Sequence, residues 1–391
     1  MAFVRMDIDR FQLINAFFGT SVGDEVLRFV ADSVKQYVTR FEKATYGRVE
    51  ADVFGMCLRY EDVNSALKRI YAIRNHFKSY PLEFDIVPAF GIYVIEDKDI
   101  PIELMLDRAK LAAKTIKGQY LNNYAFYSDD IGLALEEEQQ IVNEMANALE
   151  QEQFLVYFQP KYNVKSRQPV GAEALVRMLD DDGKIVPPMS FIPYLEKTGM
   201  IIKLDFCVLE QVCKLIRNWL DEGIKPIRIS VNLSRFDFQE DGAWEKMLKM
   251  ISEYNIPREY LEFEVTETIF YDDVEFIISK LRHLRAKGHK VSMDDFGSGY
   301  SSLNTVGLMP IDIIKFDRGF VQNSINTQKG LEIMSGLVDI FSKINLEVIC
   351  EGVETEEEEK TIQQCGCDYV QGYFHDRPLP VADFEAKYIR K

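Results

Sequence analysis

Lys290-Val-Ser-Met-Asp-Asp-Phe-Gly-Ser-Gly-Tyr-Ser-Ser302 is the stretch on which the fold turns. A short strand-like run ends on two adjacent aspartates, and a loop of glycines and hydroxyls follows at once. The same grammar repeats on both sides. Upstream, Ile229-Ser-Val-Asn-Leu-Ser234 closes on Asn232, and Glu262-Phe-Glu-Val-Thr-Glu267 closes on Glu264 and Glu267. Further back, the run from Pro169 brings Glu173 and Arg177; downstream runs deliver Lys315, then Glu351 with Glu354, then Gln371. The pattern predicts strands beginning near Leu155, Pro169, Ile227, Leu261, Lys290, Asp312, Glu347 and Tyr369, with helices between them. Eight strands with intervening helices over roughly 240 residues have the size and rhythm of an α/β fold, a (β/α)8 TIM-like barrel. The long interval before the third strand predicts extra helices over 191–220.

In such a barrel the carboxyl ends of the strands converge on one pocket. Each strand end here presents a carboxylate, amide or amine. A single polar residue at a strand end is ordinarily the start of a solvated loop; seven in register are a site. Five or six carboxylates buried together repel one another and lose hydration, so they need compensation. Divalent cations held by oxygen supply it. The pair Asp294-Asp295 suits two metals, one carboxylate bridging while its neighbour turns to the second ion. Paired metals about 3.5–4 Å apart serve phosphodiester hydrolysis, so the residues alone point to a metal-dependent phosphohydrolase. The Gly/Ser loop over 297–302 is suited to cover the metals, and Glu267 is placed to hold it by accepting backbone N–H bonds.

Working outward, the first 128 residues carry 17 acidic and 17 basic side chains, so the whole net charge of −17 falls after them. That asymmetry predicts two separately built units, and the acidic balance disfavours a nucleic acid polymer or an anionic membrane as partner. The first unit, 1–128, reads as α+β, helices on an antiparallel sheet. Its strands are Phe3–Asp9, a hairpin of Tyr46–Val49 and Val53–Leu58 with Glu50-Ala51-Asp52 at the tip, and Phe84–Ile95; its helices lie near 27–38, 66–77 and 102–116. A Glu/Gln-rich, proline-free stretch over 129–152 predicts a linker helix, and 153–391 is the barrel. Six cysteines without a C-x-x-C pair read as reduced thiols, and four scattered histidines argue against zinc. The longest apolar run, Ala89–Ile95, is too short to span a membrane, and charges at Arg5, Asp7, Asp9 and Arg10 argue against a signal peptide. The expected location is cytoplasmic, and the abrupt start on a strand suggests a piece of a longer chain. Glu356-Glu-Glu-Glu359 reads as the water-facing first turn of a helix capped by Thr355, and Cys365-Gly-Cys367 as packing or a free thiol.

Residues 150–391 resemble the EAL family of cyclic di-GMP phosphodiesterases. The matching motifs are Glu173-Ala-Leu-Val-Arg177, Val231-Asn-Leu-Ser234, Glu264-Val-Thr-Glu267, Asp294-Asp-Phe-Gly297, Lys315-Phe-Asp317, Glu351-Gly-Val-Glu354 and Gln371-Gly-Tyr373 ahead of Arg377-Pro378. The resemblance implies that Glu173, Asn232, Glu264, Asp294, Asp295 and Glu351 ligate two Mg2+ or Mn2+ ions. It implies that Lys315 contacts the attacking water and phosphate, and that Arg177 and Gln371 hold the substrate phosphate or its hydration. Gln159 (in Phe158-Gln-Pro160) and Glu354 are candidates for substrate contact. The implied reaction opens cyclic di-GMP to linear pGpG by a two-metal-ion mechanism, with no ligand missing from the set. It further implies a homodimer, paired through Ser301–Pro310. His375-Asp376 departs from the apolar or small residues the family more often carries before Arg377, which bears on local pocket shape.

Residues 1–128 resemble a GGDEF (diguanylate cyclase, nucleotide-cyclase-like) domain. Asp7-Ile-Asp9 with Phe11 and Asn15 resembles its first metal- and guanine-binding segment, and Gly23-Asp24 a further guanine contact. The hairpin tip, however, reads Glu50-Ala-Asp-Val-Phe54. Glu50 and Ala51 replace glycines whose bare backbone lets phosphates approach, and Val53 replaces the glutamate that serves metal and catalysis. The inhibitory Arg-x-x-Asp is absent, with Phe41 and Ala44 in its place, and the family's leading helix is missing before Phe3. The resemblance therefore implies a degenerate GGDEF domain without cyclase activity, retained for regulation, with an amino-terminal sensor absent from this chain. Three functions stand at this point: an active phosphodiesterase, a cyclic di-GMP receptor that scarcely hydrolyses, and a scaffold.

Overall fold

The computed structural model describes all residues except 41–43, 82–84, 118–122, 181, 268, 270–273, 299–302 and 391. Phe41, the start of the expected strand at Phe84, residues 299–302 of the expected cover loop and the beginning of the expected pairing segment therefore lie outside the described residues. The chain forms two compact units, Met1–Gln140 and Ile141–Lys391.

In the first unit the elements run β1 (Ala2–Ile8), α1 (Phe11–Phe18), α2 (Thr20–Val38), β2 (Thr45–Glu50), β3 (Val53–Leu58), α3 (Val63–Phe77), β4 (Pro88–Val94), α4 (Ile102–Lys114) and β5 (Tyr124–Phe126). The sheet order is β2-β3-β1-β4-β5. Central β1 is antiparallel to both neighbours, Met6 facing Phe54 and Phe90. Val26, Val30, Val34 and Val38 recur at helical spacing on α2 and meet Met6, Met56, Ile73 and Phe90 in the core. The expected all-antiparallel sheet needs correction: β5 pairs parallel to β4. The connection from β4 passes through helix α4, and such a crossover delivers the next strand in the same direction.

α5 (Asp129–Glu150) crosses the division between the units. The second unit continues with β6 (Phe154–Asn163), β7 (Gln168–Leu179), β8 (Ile185–Val186), α6 (Ile192–Thr198), α7 (Ile201–Asp221), β9 (Arg228–Leu233), α8 (Phe236–Gln239), α9 (Ala243–Glu253), β10 (Leu261–Thr266) and α10 (Val274–Ala286). It ends with β11 (Lys290–Phe296), α11 (Leu303–Leu308), β12 (Ile313–Phe316), α12 (Arg318–Ile325), α13 (Gln328–Lys343), β13 (Glu347–Glu351), α14 (Glu356–Gln364) and β14 (Tyr369–Gln371), before a short carboxyl-terminal segment. Eight strands close in the order β6-β14-β13-β12-β11-β10-β9-β7, with β6 paired again to β7. α6 and α7 are the extra helices before the third barrel strand; α7 turns Leu204, Val208, Val212, Ile216 and Trp219 to the core at helical spacing.

The barrel departs from the expected repeat at its first strand. β6 runs antiparallel to both β7 and β14, and no helix separates β6 from β7. Residues 164–167 form a tight turn ending on Arg167 at φ +53°, and a link that short can only reverse the chain. The reversal sets Gln159 directly across from Glu173 and carries Lys161, two residues on, deeper into the barrel.

Candidate active site

Parallel strands β7 and β9–β14 bring their carboxyl ends to one mouth, and the polar residues of the sequence motifs meet there. Lys315, on β12, is fully buried, and its Nζ pairs with Glu173 at 3.1 Å, Glu264 at 2.7 Å, Asp294 at 3.1 Å and Glu351 at 2.7 Å. These four carboxylates come from four different strands. Gln371 Nε2 donates to Glu173 Oε2 at 2.7 Å and to Gln159 Oε1 at 3.3 Å. Asn232 Nδ2 donates to Glu173 Oε1 at 3.2 Å.

Asp294 and Asp295 reach the same wall because the strand breaks its alternation. The register of β11 with β12 shifts between Met293 and Phe296, and Asp295 sits at φ +58°. A bulge with one residue in the left-handed region lets two successive side chains serve one face. Asp295 N donates back to Asp294 Oδ1 at 2.9 Å. Gly372 beside Gln371 permits a close approach of another kind: a Cβ there would lie 2.1 Å from the Val353 carbonyl oxygen.

The electrostatics follow from one ammonium facing many carboxylates. Burial, reinforced by neighbouring carboxylates and outweighing Lys315, pushes the Glu351 carboxyl up to about 7 and holds Asp294 well above the usual range. Asp295 is raised in the same way. Glu264 goes the other way, to about 2, because Lys161 and Lys315 together outweigh its burial. Lys315 stays protonated: burial opposes the charge, but the carboxylates around it prevail. The donor set is all oxygen, and oxygen atoms of Glu173, Glu264 and Asp294 lie within 4.8 Å of one another. Gln371 Oε1 is buried without a partner among the described residues. Under-compensated carboxylates and an orphaned acceptor are what hard divalent cations fit.

Two cavities share this wall. One, of about 260 Å³, is lined by Gln159, Glu354, Gln371, Tyr373 and Arg318 together with Glu173, Asp294 and Glu351. The other, of about 620 Å³, is lined by Arg177, Asn232, Asp295, Arg235 and Asp205 together with Glu173 and Asp294. Arg177 is half-buried, its guanidinium 5.7 Å from the Tyr157 ring centre. Glu354 pairs with Arg318 at 2.7 Å.

The structure thus brings together Glu173, Asn232, Glu264, Asp294, Asp295, Lys315, Glu351, Gln371 and Gln159, with Arg177 and Glu354 on flanking walls. Glu267 is buried beyond β10 with Oε2 unpartnered among the described residues, and burial first, then Asp295, raises its carboxyl. One expectation changes. Glu359 does not face water: it is buried and pairs with His375 Nε2, while Thr355 and Glu358 form the capping box. His375 in turn stacks on Tyr162 with ring centres 4.0 Å apart, and the Asp376 carbonyl accepts from Gln159 Nε2 at 3.1 Å. Of the two residues that depart from the EAL pattern, Asp376 meets Gln159 through its backbone and His375 packs on Tyr162 of the same strand.

Sequence reasoning missed Lys161, Arg318 and the pair of half-buried Asp205 and buried Asp237 beside Asn232. Only Lys161 had a legible signal, its two-residue spacing from Gln159, which puts both on one face of β6.

In the first unit the corresponding acid is matched. Asp7 lies 2.9 Å from Arg5 Nε and 3.2 Å from Lys117 Nζ, and Arg5 also reaches Glu50 at 3.5 Å. The β1–β3 register puts Val53, buried, directly opposite Asp7. Ala51 holds φ +37° at the hairpin tip.

The closed barrel with an acidic mouth, preceded by a mixed-sheet unit, defines a class that comparison with known proteins identifies. The family model "EAL domain" matches residues 142–378, and "Diguanylate cyclase, GGDEF domain" matches residues 1–123. The chain belongs to the EAL family and is a tandem GGDEF–EAL protein. It is 31% identical over 389 residues to the signalling protein YkoW of Bacillus subtilis, covering 97% of this chain and 48% of YkoW. It is 31% identical over 386 residues to the bifunctional diguanylate cyclase/cyclic di-GMP phosphodiesterase MucR of Pseudomonas aeruginosa, covering 96% of this chain and 55% of MucR. The chain therefore spans about half the length of these curated relatives. The solved phosphodiesterase of MucR in complex with c-di-GMP superposes with a TM-score of 0.59 at 33% identity, over 63% of this chain and 99% of that one. Among the described residues, no helix is long and apolar enough to cross a membrane.

Proposed function

We propose that the barrel hydrolyses cyclic di-GMP to linear pGpG and that the GGDEF unit makes none. The observation that carries this reading is the cluster of Glu173, Glu264, Asp294 and Glu351 on the single ammonium of Lys315, whose members Glu173 and Asp294 line both cavities. A cyclic dinucleotide has two base arms on either side of its phosphates, and a wall of phosphate chemistry between two cavities matches that layout. The family, and relatives named as cyclic di-GMP phosphodiesterases, support the same substrate.

In this reading Glu173, Asn232, Glu264, Asp294, Asp295 and Glu351 would hold two Mg2+ or Mn2+ ions. When bound, these supply Lewis-acid stabilisation of the phosphate and lower the pKa of a coordinated water. Lys315 stays cationic and steadies charge on the reacting phosphate. Arg177 and Gln371 orient the phosphate and its hydration, with the free Gln371 Oε1 as the accepting atom. Gln159 and Glu354 position the substrate from the smaller cavity, and Glu267 anchors the loop after β11.

In the GGDEF unit, Val53 cannot ligate a metal, and Arg5 and Lys117 already occupy Asp7. We read residues 1–128 as a degenerate regulatory domain, 129–152 as the linker and 153–391 as the enzyme. The cysteines, all free thiols, suit a reducing, cytoplasmic compartment. Pairing of two copies through 301–310 belongs to the same proposal and is tested by sedimentation equilibrium.

The deciding measurement is turnover of cyclic di-GMP with Mg2+ or Mn2+, following pGpG by chromatography, beside Glu173→Ala. Metal-dependent product that vanishes in the variant is the expected result. Tight binding without product would sink the hydrolytic reading and leave a receptor.

A further inference from the structure

Beneath the carboxylates that face the cavities lies a second buried ionic group that the proposed hydrolysis does not use. Lys161 is 3% exposed, and its ammonium donates to Ser230 Oγ at 2.8 Å, Glu262 Oε1 at 2.9 Å and Glu264 Oε1 at 2.6 Å. An ammonium has three N–H donors, so its capacity is exhausted. Ser292 Oγ also donates to Glu262 Oε1, at 3.0 Å. Glu264 is fully buried and has its two oxygens divided, Oε1 to Lys161 and Oε2 to Lys315 at 2.7 Å.

Branched apolar side chains ordinarily fill the interior of such a barrel. Buried ion pairs contribute little net stability, because desolvation offsets their attraction. A lysine with two glutamates and two serines at this depth is therefore poorly explained as packing. Its geometric consequence is definite: with Oε1 fixed from below, the plane of the Glu264 carboxylate is set, and Oε2 faces the cluster.

From this we infer that Lys161 is a positioning residue. It holds the Glu264 carboxylate in its metal-binding orientation through the hydrogen bond to Oε1, and not by its charge alone. The inference rests on the reading that Glu264 ligates a divalent cation, and the test separates the two.

The experiment is a calorimetric titration of the metal-free 391-residue chain with Mn2+, with free Mn2+ followed by electron paramagnetic resonance and folding by circular dichroism melts. Lys161→Met removes donor and charge together. Lys161→Met/Glu262→Gln removes the donor while balancing the charge, and Glu262→Gln alone keeps the Lys161–Glu264 bond. We expect Glu262→Gln to bind Mn2+ within about threefold of wild type, and both Lys161→Met proteins to bind about 10–100-fold more weakly, as when a residue that orients a metal ligand is removed. Wild-type affinity in the double variant would overturn the inference, since charge alone would then explain the effect; so would unchanged affinity in Lys161→Met. Should Lys161→Met fail to fold, Lys161→Arg keeps the charge and displaces the donors: weakened binding supports positioning, unchanged binding overturns it. A wild-type chain that binds no Mn2+ sinks the metal reading itself. A wild-type chain that binds, with variants that bind equally, sinks only the role of Lys161.

Discussion

In the GGDEF unit the inward acid Asp7 is met by two cations, Arg5 at 2.9 Å and Lys117 at 3.2 Å, with a valine across the sheet. In the barrel, one buried ammonium, Lys315, is shared by four carboxylates with Asp295 beside them. Both arrangements put carboxylates at strand ends, and they differ in what is left unbalanced. A matched acid is finished structure. An unmatched cluster holds raised carboxyls, as at Asp294 and Glu351, and has affinity to spend on cations.

The largest expected effect is on turnover. Asp294→Asn should lower pGpG formation by about 100- to 1,000-fold, the scale of losing one element of electrostatic stabilisation at a reacting phosphate. Asp7→Asn should leave turnover within about twofold. Comparable losses from both would mean that the matched acid of the first unit also serves the reaction, and the contrast would fail.

Next comes stability. Asp7→Ala leaves the buried Arg5 guanidinium, among the described residues, with the exposed Glu50 at 3.5 Å, and breaking a buried pair costs about 3 kcal/mol or more. Calorimetry should show the transition of the first unit moving down while hydrolysis at 25 °C persists. An unmoved transition would show that Asp7 is not structurally committed.

The third prediction concerns pH. A carboxyl raised on folding binds its proton more tightly in the folded state, so its contribution to stability is full below about 4.5 and fades as pH rises toward about 7 for Glu351. Cations compete with those protons, so the rise in melting temperature caused by Mn2+ should be small at pH 5.5 and grow toward pH 8. A shift that is flat with pH would mean that Glu351 and Asp294 do not ligate.

Much of this contrast could be read in the sequence, because strand-end residues announce themselves as polar groups closing apolar runs. Chain direction could not. Residues 154–179 alternate the same way whether a turn or a helix joins them, and only the tight turn at 164–167 makes β6 antiparallel. The face of Lys161 was legible from its spacing to Gln159, but its role was not: its partners Ser230, Glu262 and Glu264 lie 69, 101 and 103 residues away, so its burial exists only once three strands close. β5 was missed because three residues carry too short a pattern. Glu359 was misread because an acid in a first turn is ordinarily solvated, and His375, which buries it, belongs to a later segment.

The smallest predicted effect compares two matched helix caps. Asp62 caps α3 by accepting from Ser65 N at 2.7 Å, and Thr355 caps α14 by accepting from Glu358 N at 3.2 Å; each closes a capping box. Asp62→Ala and Thr355→Ala should each cost about 1 kcal/mol in denaturant unfolding. Their functional consequences should part. In the barrel the box also ties down a neighbour, since Glu358 Oε2 accepts from Glu354 N at 2.7 Å, and Glu354 pairs with Arg318 on the wall of the smaller cavity. Loosening that cap should raise KM for cyclic di-GMP by about two- to fivefold with kcat little changed, the signature of lost binding that ground and transition states share. Asp62→Ala touches no such wall and should leave KM alone. Equal KM values in the two variants would remove Glu354 from the substrate site, whereas a fall in kcat with Thr355→Ala would move α14 from holding the substrate to holding the carboxylates.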